Sequence, residues 1–116
     1  LFAVVKRFES NMEQAYAAVN GAICRSGAGT VAELIRYGVP AVLIPFPYAN
    51  EHQRENAEFL EKKVQGATML LQEDVHLLPE RIKQLISEQT RMREALLRFA
   101  KECEARTPLS NQLLEI

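Results

Sequence analysis

The chain has 116 residues and a formal net charge of −1, with 47% hydrophobic and 25% charged residues. A chain of this length suits a single domain that buries a core without metal or disulfide staples. The near-zero charge argues against a nucleic-acid footprint or a polybasic membrane anchor. No apolar run approaches the roughly 20 residues that a membrane span needs. Cys24 and Cys103 lie far apart with no disulfide framework around them, which favours a reduced, cytoplasmic protein.

Short β-rich runs alternate with helical periodicity along the chain. This alternation predicts an α/β fold with a Rossmann-like parallel sheet and helices on both faces. Predicted strands cover residues 2–5, 22–24, 41–44 and 66–71, and predicted helices cover 10–19, 31–37, 51–63, 79–88 and 90–105, with a further turn near 111–114. Ser10 and Glu13 form a capping box for the first helix, and Gly38 is predicted to end the second in a left-handed conformation. Because the chain starts without Met inside an apolar run, we expect it to be a fragment or an excised domain.

Two loops follow buried strands and hold most of the unusual residues, at the edge where open parallel sheets bind ligands. In the first, Gly27 and Gly29 allow close backbone approach, and a helix beginning near Thr30 directs N–H groups at the same place. This arrangement suits a diphosphate. The match to a dinucleotide fingerprint is weak, because the next strand ends in Ile44-Pro45-Phe46 without an acidic residue. The first loop is not a P-loop, because no Lys follows the second glycine. It is not a cysteine-phosphatase loop either, because the Arg that such a loop requires after its Cys is absent.

Glu33 has two interpretations from its spacing. It is the fourth residue of a capping box with Thr30, or it accepts hydrogen bonds from a ribose diol while the diphosphate lies on the glycine turn. The second loop is similarly open. Asn50 and Gln53 form a possible cap pair, yet His52, Gln53 and Asn56 share one helical face, where amides suit sugar hydroxyls. A zinc site is not predicted, because His52 has no second His or Cys at ligand spacing. Cys24 is interpreted as a core residue rather than a nucleophile.

Taken in order, these motifs resemble the MurG family of peptidoglycan N-acetylglucosaminyltransferases, glycosyltransferase family 28. The residues that carry the resemblance are Cys24 to Glu33, Gly38-Val39-Pro40, Ile44 to Pro47, His52-Gln53 and Asn56-Ala57. It spans nearly the whole chain and implies that residues 1–116 are the later part of the carboxyl-terminal, donor-binding domain of a two-domain GT-B enzyme. The acceptor domain would then lie upstream of this chain.

The resemblance implies a UDP-GlcNAc site. Ala28, Gly29 and Thr30 would contact the diphosphate beside Arg25 and Ser26, Glu33 the ribose, and His52, Gln53 and Asn56 the GlcNAc hydroxyls. The turn from Phe8 to Met12 would hold the uracil, with Glu9 and Met12 as its side chains. No cofactor, no metal ion and no catalytic residue are expected in this chain. Asn50 followed by Glu51 departs mildly from the family pattern ahead of the His-Gln pair.

The expected reaction is transfer of GlcNAc with inversion from UDP-GlcNAc to lipid I, which yields lipid II in peptidoglycan synthesis. Lipid I and the inner face of the cytoplasmic membrane would be bound through the missing amino-terminal domain, and nucleic acid would not be a partner. Two alternatives remain open at this stage: another GT-B transferase that uses a different UDP-hexose or acceptor, and a non-catalytic donor-binding subunit of a split GlcNAc-transferase.

Overall fold

The computed structural model describes residues 2–4, 21–47 and 52–106, and of residues 2–4 it describes the backbone. Four strands, β1 (Phe2–Val4), β2 (Gly21–Cys24), β3 (Ala41–Leu43) and β4 (Ala67–Met69), form one sheet in sequence order. Every neighbouring pair is parallel. The predicted parallel sheet is therefore confirmed, although β3 and β4 are shorter than predicted and β2 begins one residue earlier.

Alternation along the strands divides the core into two layers. Cys24, Leu43 and Met69 are in register and face a cluster that contains Leu34 and Leu60. The intervening residues, such as Ile23 and Val42, belong to a second cluster on the opposite face. A sheet that is covered on both faces matches the prediction of helices on both sides.

Helix α1 (Ala28–Tyr37) begins earlier than the sequence predicted. Gly27 is its N-cap in an extended conformation (φ −63°, ψ 154°) without a side-chain cap hydrogen bond. Gly38 ends the helix with φ 66° and ψ 43°, so the predicted left-handed terminator is confirmed. Adding a Cβ to Gly38 would also place it 2.8 Å from Leu97 Cδ2.

The predicted helix after the second loop divides into two segments. Helix α2 (Gln53–Glu58) continues directly into a π-helix (Phe59–Val64) that ends at Gln65, whose φ is 65°. Within the π-helix, Glu61 Oε2 accepts a hydrogen bond of 3.0 Å from the backbone N–H of Met69. This bond ties the end of the edge strand β4 to the helix beside it.

The prediction of two separate helices near the end of the chain is wrong. A 3₁₀-helix (Gln72–Leu77) leads into a single helix, α3 (Leu78–Arg106). No Gly or Pro occurs near the predicted break at Gln89. Apolar residues instead continue at helical spacing across it, since Leu85, Met92 and Leu96 are all buried.

Helix α3 contributes to both core layers. Leu85 and Met92 lie in the Val42 cluster, whereas Leu96 lies in the Leu34 cluster on the other face of the sheet. Helix α3 passes close to the backbone at Gly66, because a Cβ added to Gly66 would lie 2.3 Å from Leu96 Cδ2. Gly66 directly precedes β4, so the helix passes the edge of the sheet at which the strands begin.

Three predicted features lie outside the described residues and are not tested. They are the helix predicted over residues 10–19, the turn near 111–114, and the cap position at Asn50. In the described part of the chain, no helix is long and apolar enough to cross a membrane.

Candidate functional site

The two loops predicted to meet do lie side by side at the carboxyl edge of the sheet. A Cβ added to Gly27 in the first loop would lie 4.0 Å from Nε2 of Gln53, which begins α2 after the second loop. A cavity of about 190 Å³ opens between them. Its lining residues are Arg25, Gly27, Thr30, Phe46 and Gln53. The predicted juxtaposition of the glycine turn and the second loop is therefore confirmed.

The start of α1 supplies backbone donors to this cavity. The first hydrogen bond of the helix runs from Val31 N to Gly27 O over 3.0 Å. The N–H groups of Ala28, Gly29 and Thr30 thus precede the intrahelical ladder, and among the described residues no side chain bonds to them. Uncapped N–H groups at the positive end of a helix dipole favour an anion.

The glycines at this helix start are not required by the described backbone or packing. Neither Gly27 nor Gly29 has positive φ, and a Cβ on Gly29 would meet no described atom within 4 Å. Gly29 thus leaves open space among the described residues at the second position of α1, which agrees with the approach of a ligand.

The earlier helix start changes the interpretation of Glu33. Thr30 is the third residue of α1 and Glu33 the sixth, and no acidic residue occupies the first turn. The capping-box interpretation of Thr30 and Glu33 is wrong, because Gly27 and not Thr30 is the N-cap residue of the helix. Glu33 is half-buried one turn beyond Thr30 on the same side of the helix.

Arg25 is held at the rim of the cavity by the third strand. Its Nη1 donates to the carbonyl of Ile44 at 3.3 Å and to that of Pro45 at 3.5 Å. The guanidinium carbon lies 5.3 Å from the ring centroid of Phe46, within cation–π range. These contacts fix a positive charge beside the glycine turn while the residue stays exposed.

Ser26, Gln53 and Asn56 form a hydrogen-bonded network between the two loops. The Ser26 hydroxyl donates to the backbone carbonyl of Gln53 at 2.6 Å, and Asn56 Nδ2 donates to the Ser26 carbonyl at 3.0 Å. Gln53 Oε1 accepts from the backbone N–H of Phe46 at 2.8 Å. Ser26 is fully buried and Gln53 is 5% exposed. The Ser26 hydroxyl is therefore committed to the protein rather than presented to the cavity.

His52 differs from these residues in its exposure. It is the N-cap of α2, its side chain is 76% exposed, and its Nδ1 lies 3.4 Å from Glu55 Oε1. Of the residues predicted to read the sugar, it makes the least contact with the protein. Glu9 and Met12, the predicted uracil residues, lie outside the described residues.

Sequence reasoning missed Phe46. Its ring lines the cavity, is 42% exposed and covers the Arg25 guanidinium. The available signal was an aromatic residue between two prolines directly after a buried strand at the ligand edge. Cys24 lies nearby but is 8% exposed, and burial raises the pKa of its thiol to about 12. A thiol with that pKa stays protonated at neutral pH, which agrees with the core interpretation.

The fold and site define a class of protein. A parallel sheet with an uncapped, glycine-containing helix start at its carboxyl edge is typical of nucleotide-binding α/β domains. Within the described residues, no group of three or more His, Cys, Asp or Glu side chains could hold a metal ion.

The chain belongs to the glycosyltransferase family 28 C-terminal domain, whose family model matches residues 2–113. It is 41% identical over 122 residues to the Xylella fastidiosa UDP-N-acetylglucosamine–N-acetylmuramyl-(pentapeptide) pyrophosphoryl-undecaprenol N-acetylglucosamine transferase, covering 96% of this chain and 33% of that protein. The Solibacter usitatus protein of the same name is 40% identical over 99 residues, covering 81% of this chain and 27% of the relative. This chain thus spans about a third or less of the length of these relatives.

A solved structure agrees with the sequence comparison. The crystal structure of Acinetobacter baumannii MurG matches 80% of this chain with a TM-score of 0.60 and 34% sequence identity. The match covers 27% of the Acinetobacter chain. Its identity level and TM-score together support the same family and the same α/β architecture.

Proposed function

We propose that this chain binds the UDP-GlcNAc donor of an N-acetylglucosaminyltransferase. The acceptor of the whole enzyme would be lipid I and the product lipid II. The relatives are named for this donor and for an undecaprenol-linked muramyl acceptor. The observation that carries the proposal is the start of α1, where Arg25, Gly27 and Thr30 line a cavity and no side chain of the described residues bonds to the first three backbone N–H groups of the helix.

In this proposal the diphosphate binds at the start of α1. The N–H groups of Ala28, Gly29 and Thr30 donate to its oxygens, and the Arg25 guanidinium neutralises part of its charge. The same groups are suited to the leaving group, because negative charge grows on the β-phosphate as the glycosidic bond breaks. Prepositioned donors stabilise this charge without reorganising during the reaction.

The ribose would lie against Glu33. A carboxylate accepts hydrogen bonds from both hydroxyls of a diol, and the residue faces the side of α1 that Thr30 brings to the cavity. No hydrogen bond or ion pair of Glu33 occurs among the described residues, and the side chain is half-buried. Glu33 does not cap α1, because the helix begins at Ala28, and this supports the assignment of its carboxylate to the ribose.

The GlcNAc would extend from the diphosphate toward α2. His52 is exposed at the start of that helix, whereas Gln53 Oε1 and Asn56 Nδ2 already bond to backbone groups of the protein. Asn56 Oδ1 remains as an acceptor for a hydroxyl donor. We assign inversion at the anomeric carbon, lipid I binding and peripheral association with the inner face of the cytoplasmic membrane to the whole enzyme.

The proposal is tested by calorimetric titration of the protein at its natural length with UDP and with uridine. Loss of the diphosphate removes several charge-assisted hydrogen bonds, so uridine should bind about ten- to a hundredfold more weakly than UDP. GDP is the control for the contribution of the base to affinity. Uridine 5′-monophosphate, which carries a single phosphate, separates the contributions of the two phosphates. Equal affinity for UDP and uridine would contradict a diphosphate site at the start of α1.

A further inference from the structure

Ser26 holds a position that direct ligand contact does not explain. It lies in the first loop between Arg25 and the N-cap Gly27, yet its side chain is fully buried. Its hydroxyl donates to a carbonyl in α2 over 2.6 Å, and its own carbonyl accepts from Asn56 in the same helix over 3.0 Å. The residue therefore bonds to α2 in both directions, once as donor and once as acceptor.

The two bonds connect parts of the molecule that the chain keeps far apart. Ser26 and Gln53 are separated by 27 residues, and Ser26 and Asn56 by 30. One side of the junction carries the start of α1, and the other carries the start of α2. A ligand that contacts both helix starts binds best when their separation is fixed before it arrives, since ordering them during binding has an entropic cost.

We propose that Ser26 is a positioning residue, which sets the distance between the diphosphate subsite at α1 and the sugar subsite at α2. It acts through the Gln53 carbonyl and does not touch the ligand. This inference rests on the proposed function, because it assumes that a nucleotide sugar spans the two helix starts. Its consequence is specific: UDP occupies the α1 side alone, whereas UDP-GlcNAc occupies both sides.

The test compares affinities for UDP and UDP-GlcNAc in the protein at its natural length, with wild type, Ser26→Ala and Thr68→Val. Thr68 is a matched control, since it is also a buried hydroxyl residue (3% exposed) but lies in β4, away from the cavity. Ser26→Ala should lower the unfolding midpoint, because it removes a buried hydrogen bond. Ser26→Ala alone should change the ratio of the two dissociation constants, weakening UDP-GlcNAc relative to UDP by roughly two- to tenfold, as loss of one hydrogen bond implies.

The outcomes separate the two proposals. A wild-type ratio in a destabilised Ser26→Ala variant, matching Thr68→Val, would show that Ser26 only stabilises the fold and would overturn the inference. If wild type binds neither UDP nor UDP-GlcNAc, the proposed function itself fails. Should Ser26→Ala not fold, Ser26→Cys carries the same comparison, because the thiol fills the site with a weaker donor. A wild-type ratio in that variant, despite a lower unfolding midpoint, would likewise overturn the inference.

Discussion

At the scale of single residues, the structure changes the interpretation of Glu33 more than that of any other carboxylate. The sequence left two interpretations of Glu33 open, a capping box and a contact with the ribose. The start of α1 at Ala28 excludes the capping box. The deciding feature is Gly27, which is the N-cap residue of the helix and has an extended backbone conformation. That conformation is not encoded in the spacing of Thr30 and Glu33, so the sequence pattern could not resolve it.

The first prediction concerns Glu33→Ala. Because the residue lies in the second turn of α1, the substitution should change the free energy of unfolding by only about 0.5 kcal/mol in either direction. The affinity for UDP should fall about ten- to a hundredfold, as expected for hydrogen bonds to a charged acceptor. Calorimetry with UDP measures the second effect, and Glu33→Gln is the matched variant that keeps one acceptor. Unchanged affinity in folded Glu33→Ala would exclude the ribose contact.

The second prediction concerns donor choice and His52. A site that hydrogen-bonds a hydroxyl rejects the epimer, so UDP-GlcNAc should be preferred over UDP-GalNAc, which differs at the 4-hydroxyl. His52→Ala should reduce the ratio of kcat/KM values for the two donors by roughly two- to tenfold while inhibition by UDP stays constant. His52 is a cleaner probe than Gln53 or Asn56, because the latter two also hold the loops together.

Glu55→Ala is the control for that experiment. Glu55 is 75% exposed and lies 3.4 Å from His52, so its removal frees the imidazole without deleting it. The donor ratio should then stay at the wild-type value. If His52→Ala and Glu55→Ala give the same ratio as wild type, His52 is an exposed first-turn residue and the sugar is read elsewhere.

At the scale of elements, the strands were predicted better than the helices. Each of the strands β2, β3 and β4 is a short apolar run bordered by Gly, Pro or polar residues, and such a run buried on both faces has few alternatives. The helix ends depended on features that the sequence hides. The π-helical turn before Gln65 has no signal in the apolar spacing, whereas the continuity of α3 through Gln89 agrees with the buried positions Leu85, Met92 and Leu96.

The candidate site shows the same division. The meeting of the two loops could be predicted, because carboxyl ends of parallel strands share an edge. The Ser26 bonds and the cation–π contact of Arg25 with Phe46 could not, since they join residues about 20 to 30 positions apart through particular rotamers. Sequence spacing predicts which residues are neighbours within a helix or strand. It does not predict which residues contact each other across a cavity.

The third prediction concerns the passage of α3 beside the sheet. A Cβ on Gly66 would lie 2.3 Å from Cδ2 and 2.4 Å from Cγ of Leu96, which is fully buried. Gly66→Ala should therefore lower the free energy of unfolding by about 1–3 kcal/mol, the cost of overpacking a core. Gly29→Ala is the control, because a Cβ there meets no described atom within 4 Å. Equal stability of the two variants, measured by denaturant unfolding, would contradict the close passage.

At the scale of the whole molecule, the proposed function depends on two helix starts held at one edge of a single sheet. Helix α1 offers backbone donors, helix α2 offers exposed polar groups, and the Ser26 network joins them. Helix α3 braces the opposite edge, where Gly38 and Gly66 approach its side chains. The close contacts of Gly38 and Gly66 with α3 thus lie at the edge of the sheet away from the cavity.

The central claim is that the space above Gly29 is kept open for a diphosphate, and Gly29→Leu tests it most directly. Leucine favours a helix more than glycine does, and a side chain there has room among the described residues, so the unfolding midpoint should stay equal or rise. The same side chain would fill the ligand space, and affinity for UDP measured by calorimetry should fall at least about tenfold, or roughly 1.4 kcal/mol. A stable Gly29→Leu protein that binds UDP as tightly as wild type would contradict the account.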